Sequence, residues 1–290
     1  MELRVSDYGL GMSLNLRDVV ATLEDLYPPD TAEAWDSVGL IAGDPAAPVT
    51  KVLFAVDPVA AVVNEALEWG ADLVVTHHPL FLKGVHSVAA TTFKGAVVHR
   101  LLTSGVALYN AHTNADSAPR GVADALADAV GIIDRTPLIA HGEGAETGIG
   151  RVGRLAEPIT LRAFAERVAG ALPKVAQGVR VAGDLDAQVT TVAVVGGSGD
   201  SLFDAVRAAQ TDVYVTSDLR HHPASELRER ADFEGGTPYL VDTAHFASEW
   251  PWLRYAAVDL TSTLLERFGT TVECRVSERV TDPWTATLSH

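Results

Sequence analysis

"KVLFAVDPVAAVVNEALEWGADLVVTHHP", residues 51–79, and "TVAVVGGSGDSLFDAVRAAQTDVYVTSDLRHHP", residues 191–223, decide the fold, because they are two versions of one pattern. Val52 and Val192, Asp72 and Asp212, and Thr76 and Thr216 each lie 140 positions apart. Each stretch reads as a strand, a tight turn, an amphipathic helix and a second strand. In the first, Val62, Val63, Ala66 and Leu67 fall on one helical face and Gly70 supplies the stop. In the second, Leu202, Phe203, Val206 and Ala209 repeat that face.

Both stretches continue alike. After "THHP" the pattern predicts a helix near 91–103 and the strand "GVALYNAHTNAD"; after "TSDLRHHP" it predicts a short helix near 223–231 and the strand "PYLVDTAHFASE". Alternating strands and helices with this order build parallel sheets with right-handed crossovers. The expected class is α/β: two pseudo-repeated α/β halves, with a metal site at strand C-terminal ends between them. The first half is expected over 1–140 and the second over 141–290, with 243–290 able to pack back on the first.

The Gly-rich polar stretch at 141–158 reads as the junction, followed by a helix at 160–171. It contains "GIGRVG", which matches the dinucleotide fingerprint G-x-G-x-x-G in letters only. That fingerprint needs a strand directly before it and a helix opening within it, and neither is present. "VVGGSGD", 194–200, does stand between strand and helix, where its glycines either cradle an anion or serve a tight turn. It is no serine-hydrolase elbow, since Asp200 occupies the place of the last glycine.

Composition narrows the function. The chain has 290 residues, 47% of them hydrophobic, and 38 acidic against 22 basic residues give a formal net charge of −16. Binding to nucleic acid backbones needs clustered Lys and Arg, which are absent. The single cysteine, Cys274, rules out a disulfide framework and a thiolate cluster. No apolar run approaches the roughly 20 residues of a membrane-spanning helix, and the opening residues lack a basic start followed by an apolar core. A cytoplasmic location is expected.

In open parallel α/β sheets, ligands gather beyond the carboxyl ends of the strands. Found there are His77 and His78, His112 and Asp116, Asp218, His221 and His222, and Asp242, His245 and Glu249. Imidazole and carboxylate without thiolate is a ligand set for Zn, Mn, Fe or Co. Pro79 lacks an amide hydrogen and keeps His78 extended, so strand pairing should stop where the two rings emerge. Two adjacent, diverging imidazoles suit two ions better than one. His245 and Glu249 have i, i+4 spacing, but Pro251 belongs in the first turn of the next helix, which places the pair on the entering turn.

With these marks the chain resembles the Nif-three-like dinuclear-metal-centre family, also called type-two homologues of GTP cyclohydrolase I. The similarity runs from about 14 to 280 through "AEAWDSVGL" (32–40), "ADLVVTHHPLFLKG" (71–84), "YNAHTNAD" (109–116), "VVGGSGD" (194–200), "VYVTSDLRHH" (213–222) and "VDTAHFASE" (241–249). The resemblance implies two divalent ions per subunit held by His77, His78, Asp116, His245 and Glu249. His112 would support them, and His112 and Asp116 would carry the catalytic proton work. It also implies a toroidal homohexamer and a metal-dependent hydrolase acting on a small nucleotide-like or phosphorylated molecule. The alternative is a non-catalytic ring that stores or delivers metal or serves as a scaffold. Two departures stand out: Ser37 replaces the usual asparagine, and in "TSDLRHHP" Ser217 and Pro223 replace a glycine and an acid, leaving His222 a secondary candidate.

Overall fold

The computed structural model describes residues 14–288; the leader-free reading of residues 1–13 lies outside them. In chain order the helices are α1 (Leu16–Leu26), α2 (Ala60–Trp69), α3 (Phe93–Thr103), α4 (Thr113–Ser117), α5 (Val122–Val130), α6 (Leu161–Ala171), α7 (Phe203–Ala208), α8 (His221–Glu234), α9 (His245–Glu249) and α10 (Trp252–Phe268). The strands are β1 (Gly39–Ala42), β2 (Lys51–Ala55), β3 (Leu73–Thr76), β4 (Ala107–Asn110), β5 (Ile133–Ala140), β6 (Gly148–Thr160), β7 (Arg180–Ala182), β8 (Gln188–Ser198), β9 (Val213–Ser217), β10 (Tyr239–Thr243) and β11 (Glu273–Val276). Among the described residues no helix is long and apolar enough to cross a membrane.

The chain forms two compact units. The first takes the described residues up to Pro29, Ser37–Ala111 and Ala256–Ser277. Its sheet has the order β1-β4-β3-β2-β11, parallel except for β1, which runs antiparallel to β4. Leu53, Val74 and Leu108 from neighbouring strands pack with Val62, Val63 and Ala66 of α2 and with Val97, Val98 and Leu101 of α3, so the expected helical face is the buried one.

The second unit takes Asp30–Asp36, His112–Tyr255 and Glu278 onward. Its sheet has the order β5-β6-β8-β9-β10-β7, with a parallel centre of β8, β9 and β10 and antiparallel strands on both sides. Ala193, Tyr214 and Leu240 of that centre pack with Val206 and Leu227.

The repeat is physical. β2 pairs with β3 at Val52↔Leu73, and β8 pairs with β9 at Val192↔Val213, the same register 140 residues on. Asp72 accepts from the Thr50 and Lys51 amides at 2.7 and 2.9 Å, while Asp212 accepts from those of Thr190 and Thr191 at 2.7 and 2.8 Å. In both units this carboxylate ties the end of a helix-to-strand turn to the start of the neighbouring strand. Gly70 closes α2 with φ 74°, and Gln210, its counterpart, holds φ 52° without a glycine.

Two expectations change. Part of the stretch read as a junction is the long strand β6, hydrogen-bonded to β5 and β8. The second repeat's helix shrinks to the single turn and a half of α7, preceded by a 3-10 turn at Asp200–Leu202. Val206 alone of its expected face is fully buried.

Candidate metal centre

In the first unit, His77 and His78 follow the last residue of β3. Pairing reaches further than expected, because the His77 and His78 amides still donate to Ala55 O at 3.2 Å and Val56 O at 2.9 Å. Pro79 has no amide and the ladder stops there. The rings do not diverge across the sheet: their centroids lie 5.0 Å apart at 43°. Thr76 Oγ1 donates to His78 O at 2.8 Å, a local bond that bends the chain off the strand at this point.

Each ring is held through Nδ1. His77, fully buried, donates from Nδ1 to Ala111 O at 3.0 Å, and His78 donates from Nδ1 to Asp57 Oδ1 at 2.7 Å. Asp57 stands just past β2 and Ala111 just past β4, so three neighbouring strand ends build this corner. A proton fixed on Nδ1 leaves the Nε2 lone pair as the donor, which is how metal-binding imidazoles are prepared by their outer partners.

In the second unit, His245 and Glu249 are the first and last residues of α9, a one-turn helix entered directly from β10. The i, i+4 spacing is therefore realised on a helix of its own, and Pro251 comes after it. His245 Nδ1 meets Asp218 Oδ2 at 2.6 Å, and its Nε2 meets Glu249 Oε1 at 2.9 Å. Asp218 sits just past β9 in the left-handed region, φ 56°, which turns its carboxylate toward the imidazole. Burial alone would lower the His245 pKa. The charge of Glu249 and hydrogen bonds to Asp218 and Glu249 outweigh it and push the value up to about 11.

Glycine is required beside this pair. Gly197, near the end of β8, has φ 67°, and a Cβ there would lie 2.6 Å from Glu249 Oε1 and 3.1 Å from His245 Nε2. Its amide donates to Ser248 Oγ at 2.9 Å, and its carbonyl accepts from Thr216 Oγ1 at 3.0 Å. The sequence left an anion cradle or a tight turn open for "GGSG"; the Gly197 amide is taken by Ser248 Oγ, and glycine here serves a third purpose, close approach to Glu249 and His245. Ser217, one of the departures noted above, donates from Oγ to Ser248 Oγ at 3.1 Å and so braces the helix turn that carries Glu249.

His112 caps α4, and Asp116 lies within that helix, half-buried, its amide donating to His112 O at 3.0 Å. The Asp36 side chain is fully buried. It accepts from His112 Nδ1 at 2.9 Å, from the Thr113 amide at 3.0 Å and from Thr113 Oγ1 at 2.5 Å. Burial would raise the Asp36 pKa, but the hydrogen bonds from His112 and Thr113 hold it well below the usual carboxylate range.

Of the other candidates, Asp242 is buried at the end of β10, paired with Arg180 and accepting from the Leu219 amide at 3.2 Å. It lines a cavity of about 320 Å³ together with His221, Ser225 and Arg228. His222 is exposed on α8.

His77, His78, His112, His245 and Glu249 are all members of histidine or histidine–glutamate groups whose donor atoms could hold a metal ion. The donors suit one. Glu249 is 3% exposed, and in the second unit two carboxylates flank one imidazole. Such an arrangement compels the ring to stay protonated, and a divalent cation would relieve the same excess of negative charge. Sequence reasoning missed Asp36 and Asp57 as orienting groups; the signals were a place inside "AEAWDSVGL" for Asp36 and a position just past β2 for Asp57.

A sequence model of the family described as Duf34/NIF3 (NGG1p interacting factor 3) matches residues 14–283. A Streptomyces coelicolor protein named "GTP cyclohydrolase 1 type 2 homolog" is 51% identical over 273 residues, covering 93% of this chain and 94% of the relative. A Mycobacterium tuberculosis protein of the same name is 36% identical, covering 94% and 97%. Among solved structures, a Bacillus cereus protein related to NIF3 superposes with TM-score 0.84 at 24% identity, covering 95% of this chain and 100% of that one. A Staphylococcus aureus hypothetical protein, SA1388, superposes with TM-score 0.81 at 27% identity, covering 95% and 100%.

Proposed function

The chain belongs to the Duf34/NIF3 family, and from that premise we propose that it is a dinuclear divalent-metal protein that hydrolyses a small nucleotide-like or phosphorylated substrate. The observation that supports this reading most is the shared preparation of four imidazoles. His77, His78, His112 and His245 each have Nδ1 tied to an oxygen acceptor, and in three of them that acceptor is a carboxylate. Histidines that serve only as loop residues have no need of such uniform orientation.

In this reading His77, His78 and His245 present Nε2, and Asp116 and Glu249 present carboxylate oxygens, as the ligand set. Ions of Zn, Mn, Fe or Co held there would supply Lewis acidity and would lower the pKa of bound water toward about 7. The chain's own contribution is orientation and proton handling. Asp57 and Asp218 fix the planes of His78 and His245, and loading at His245 would displace the proton that its Nε2 shares with Glu249. Asp36 holds His112 with its proton on Nδ1, which leaves Nε2 able to take a proton near the reacting atom. Asp116, in the turn that His112 caps, orients the water. The name borne by the relatives points to a purine nucleotide, and phosphoester or amide hydrolysis would use the same residues.

The test is turnover by the metal-loaded full chain, offered GTP, phosphomonoesters, phosphodiesters and cyclic amides, beside the His77→Ala, His78→Ala double variant. Turnover of one class, lost in the double variant, is expected. No turnover above that control at full metal loading would overturn the hydrolase reading in favour of a ring that stores or delivers metal. The assembly belongs to the same proposal: a toroidal homohexamer, to be read by light scattering of the purified chain.

A further inference from the structure

We propose that Trp35 is the platform on which a planar, unsaturated heterocycle of the substrate stacks, which makes it the residue that selects base-bearing over base-free ligands. Trp35 is 58% exposed, although a tryptophan used for packing would be covered. Its ring lies edge-on to the imidazole of His112, with centroids 6.0 Å apart at 78°. A flat group resting against Trp35 is thereby brought beside His112.

The platform is rigid for reasons that lie in its neighbours. The side chain of Asp36, the next residue, is fully buried and is bound to His112 Nδ1, the Thr113 amide and Thr113 Oγ1. Glu33, two residues before, donates its amide to Thr113 Oγ1 at 2.9 Å, and the Asp36 amide donates to Glu33 O at 2.9 Å to close the turn. Residues on both sides of 30–36 belong to the first compact unit, yet this segment belongs to the second, the unit of His112. A short turn is thus clamped at both ends to the N-terminus of α4, and its tip is an exposed indole. Such an arrangement loses little entropy when a ligand settles on it, because the aromatic is already fixed.

The inference rests on the proposed function only in taking His112 as part of the reacting centre. Its ligand class comes from the indole, since aromatic stacking accepts any flat π-system and discriminates against ligands that lack one.

The test uses the metal-loaded full chain carrying fluorotryptophan, with Trp35 assigned by Trp35→Phe, and two probes. These are AMP and ribose 5-phosphate, which share the sugar phosphate and differ by the base. Fluorine NMR should show the Trp35 resonance moving with AMP and staying still with ribose 5-phosphate. Calorimetry should show AMP favoured in the wild type. Trp35→Leu should lose roughly ten- to hundred-fold of AMP affinity, with ribose 5-phosphate unchanged and Trp35→Phe retaining most of it. Metal content, measured on every sample, separates this inference from the metal reading. With metal content intact, a Trp35 resonance indifferent to AMP, or a base preference that survives Trp35→Leu, would overturn the inference and leave the metal reading standing. A fall in assembly mass on Trp35→Leu would also overturn it, since the indole would then be covered by a second copy of the chain.

Discussion

Asp218 and His245 lie 27 residues apart and meet at 2.6 Å, carboxylate oxygen to Nδ1, with Asp218 held at φ 56° to make the contact. A residue outside the expected ligand set thus decides how one expected ligand points. Asp218→Asn keeps the shape and tolerates the backbone conformation, but it removes the charge that orients and strengthens the imidazole. Metal affinity should fall about 10- to 100-fold, as is typical when an outer partner is lost, with the unfolding midpoint of the metal-free chain little changed. Competition with a chelator of known affinity measures it.

Gly197→Ala places a Cβ 2.6 Å from Glu249 Oε1 at a φ of 67°. The left-handed backbone alone costs about 1–2 kcal/mol, and the carboxylate must also move. Both denaturant stability and metal content should drop, whereas Gly70→Ala, with no atom near its Cβ, should lose stability only.

Asp36 gives the chain an acid-sensitive fastening. Its folded pKa is depressed below the unfolded value near 3.9, so its contribution is complete at neutral pH and is lost as pH falls through and below that value. Asp36→Asn should lower stability at pH 7 by about 1.5–3 kcal/mol, because hydrogen bonds to a charged group are replaced by weaker ones. The gap between wild type and variant should narrow toward pH 3, followed by urea unfolding across the range.

Arg151 stands inside "GIGRVG" and is 2% exposed. Its guanidinium donates to both Asp124 oxygens, to Gly148 O and Gly150 O at 2.8 Å, and to Ala118 O at 3.0 Å, the residue that ends α4. Arg151→Leu should destabilise the protein by about 3–5 kcal/mol, since Asp124 loses a buried partner. Arg151→Lys should recover only part, because an ammonium cannot reproduce the planar fork.

The same segment shows where the sequence was opaque. Three glycines in six residues read as a loop, since glycine weakens strands. At Gly153 the reason for glycine is tertiary: a Cβ would lie 2.5 Å from Ile133 O on the adjacent strand. The parallel centres of both sheets were legible because Val, Leu and Phe recur with helical and strand periods and because the pattern occurs twice. The positions of His77 and His78 after β3, and of His245 and Glu249 on the turn that follows β10, followed from that pattern. Their orientation did not. The partners that fix His78 and His112 lie 21 and 76 residues away, in "AVDP" and "AWDS", where an aspartate reads equally well as a turn residue. Gln210 shows the converse, a left-handed cap that the sequence hides by not using glycine.

The claim that the oriented imidazoles hold two ions is tested most directly by elemental mass spectrometry of the purified full chain beside His77→Ala and His78→Ala. The account predicts about two divalent ions per chain in the wild type, as in two-metal sites, and about one in each single variant. Loss of both ions from either change alone would mean one shared, cooperative site in place of two separate positions. Wild-type metal content in both variants would contradict the account outright.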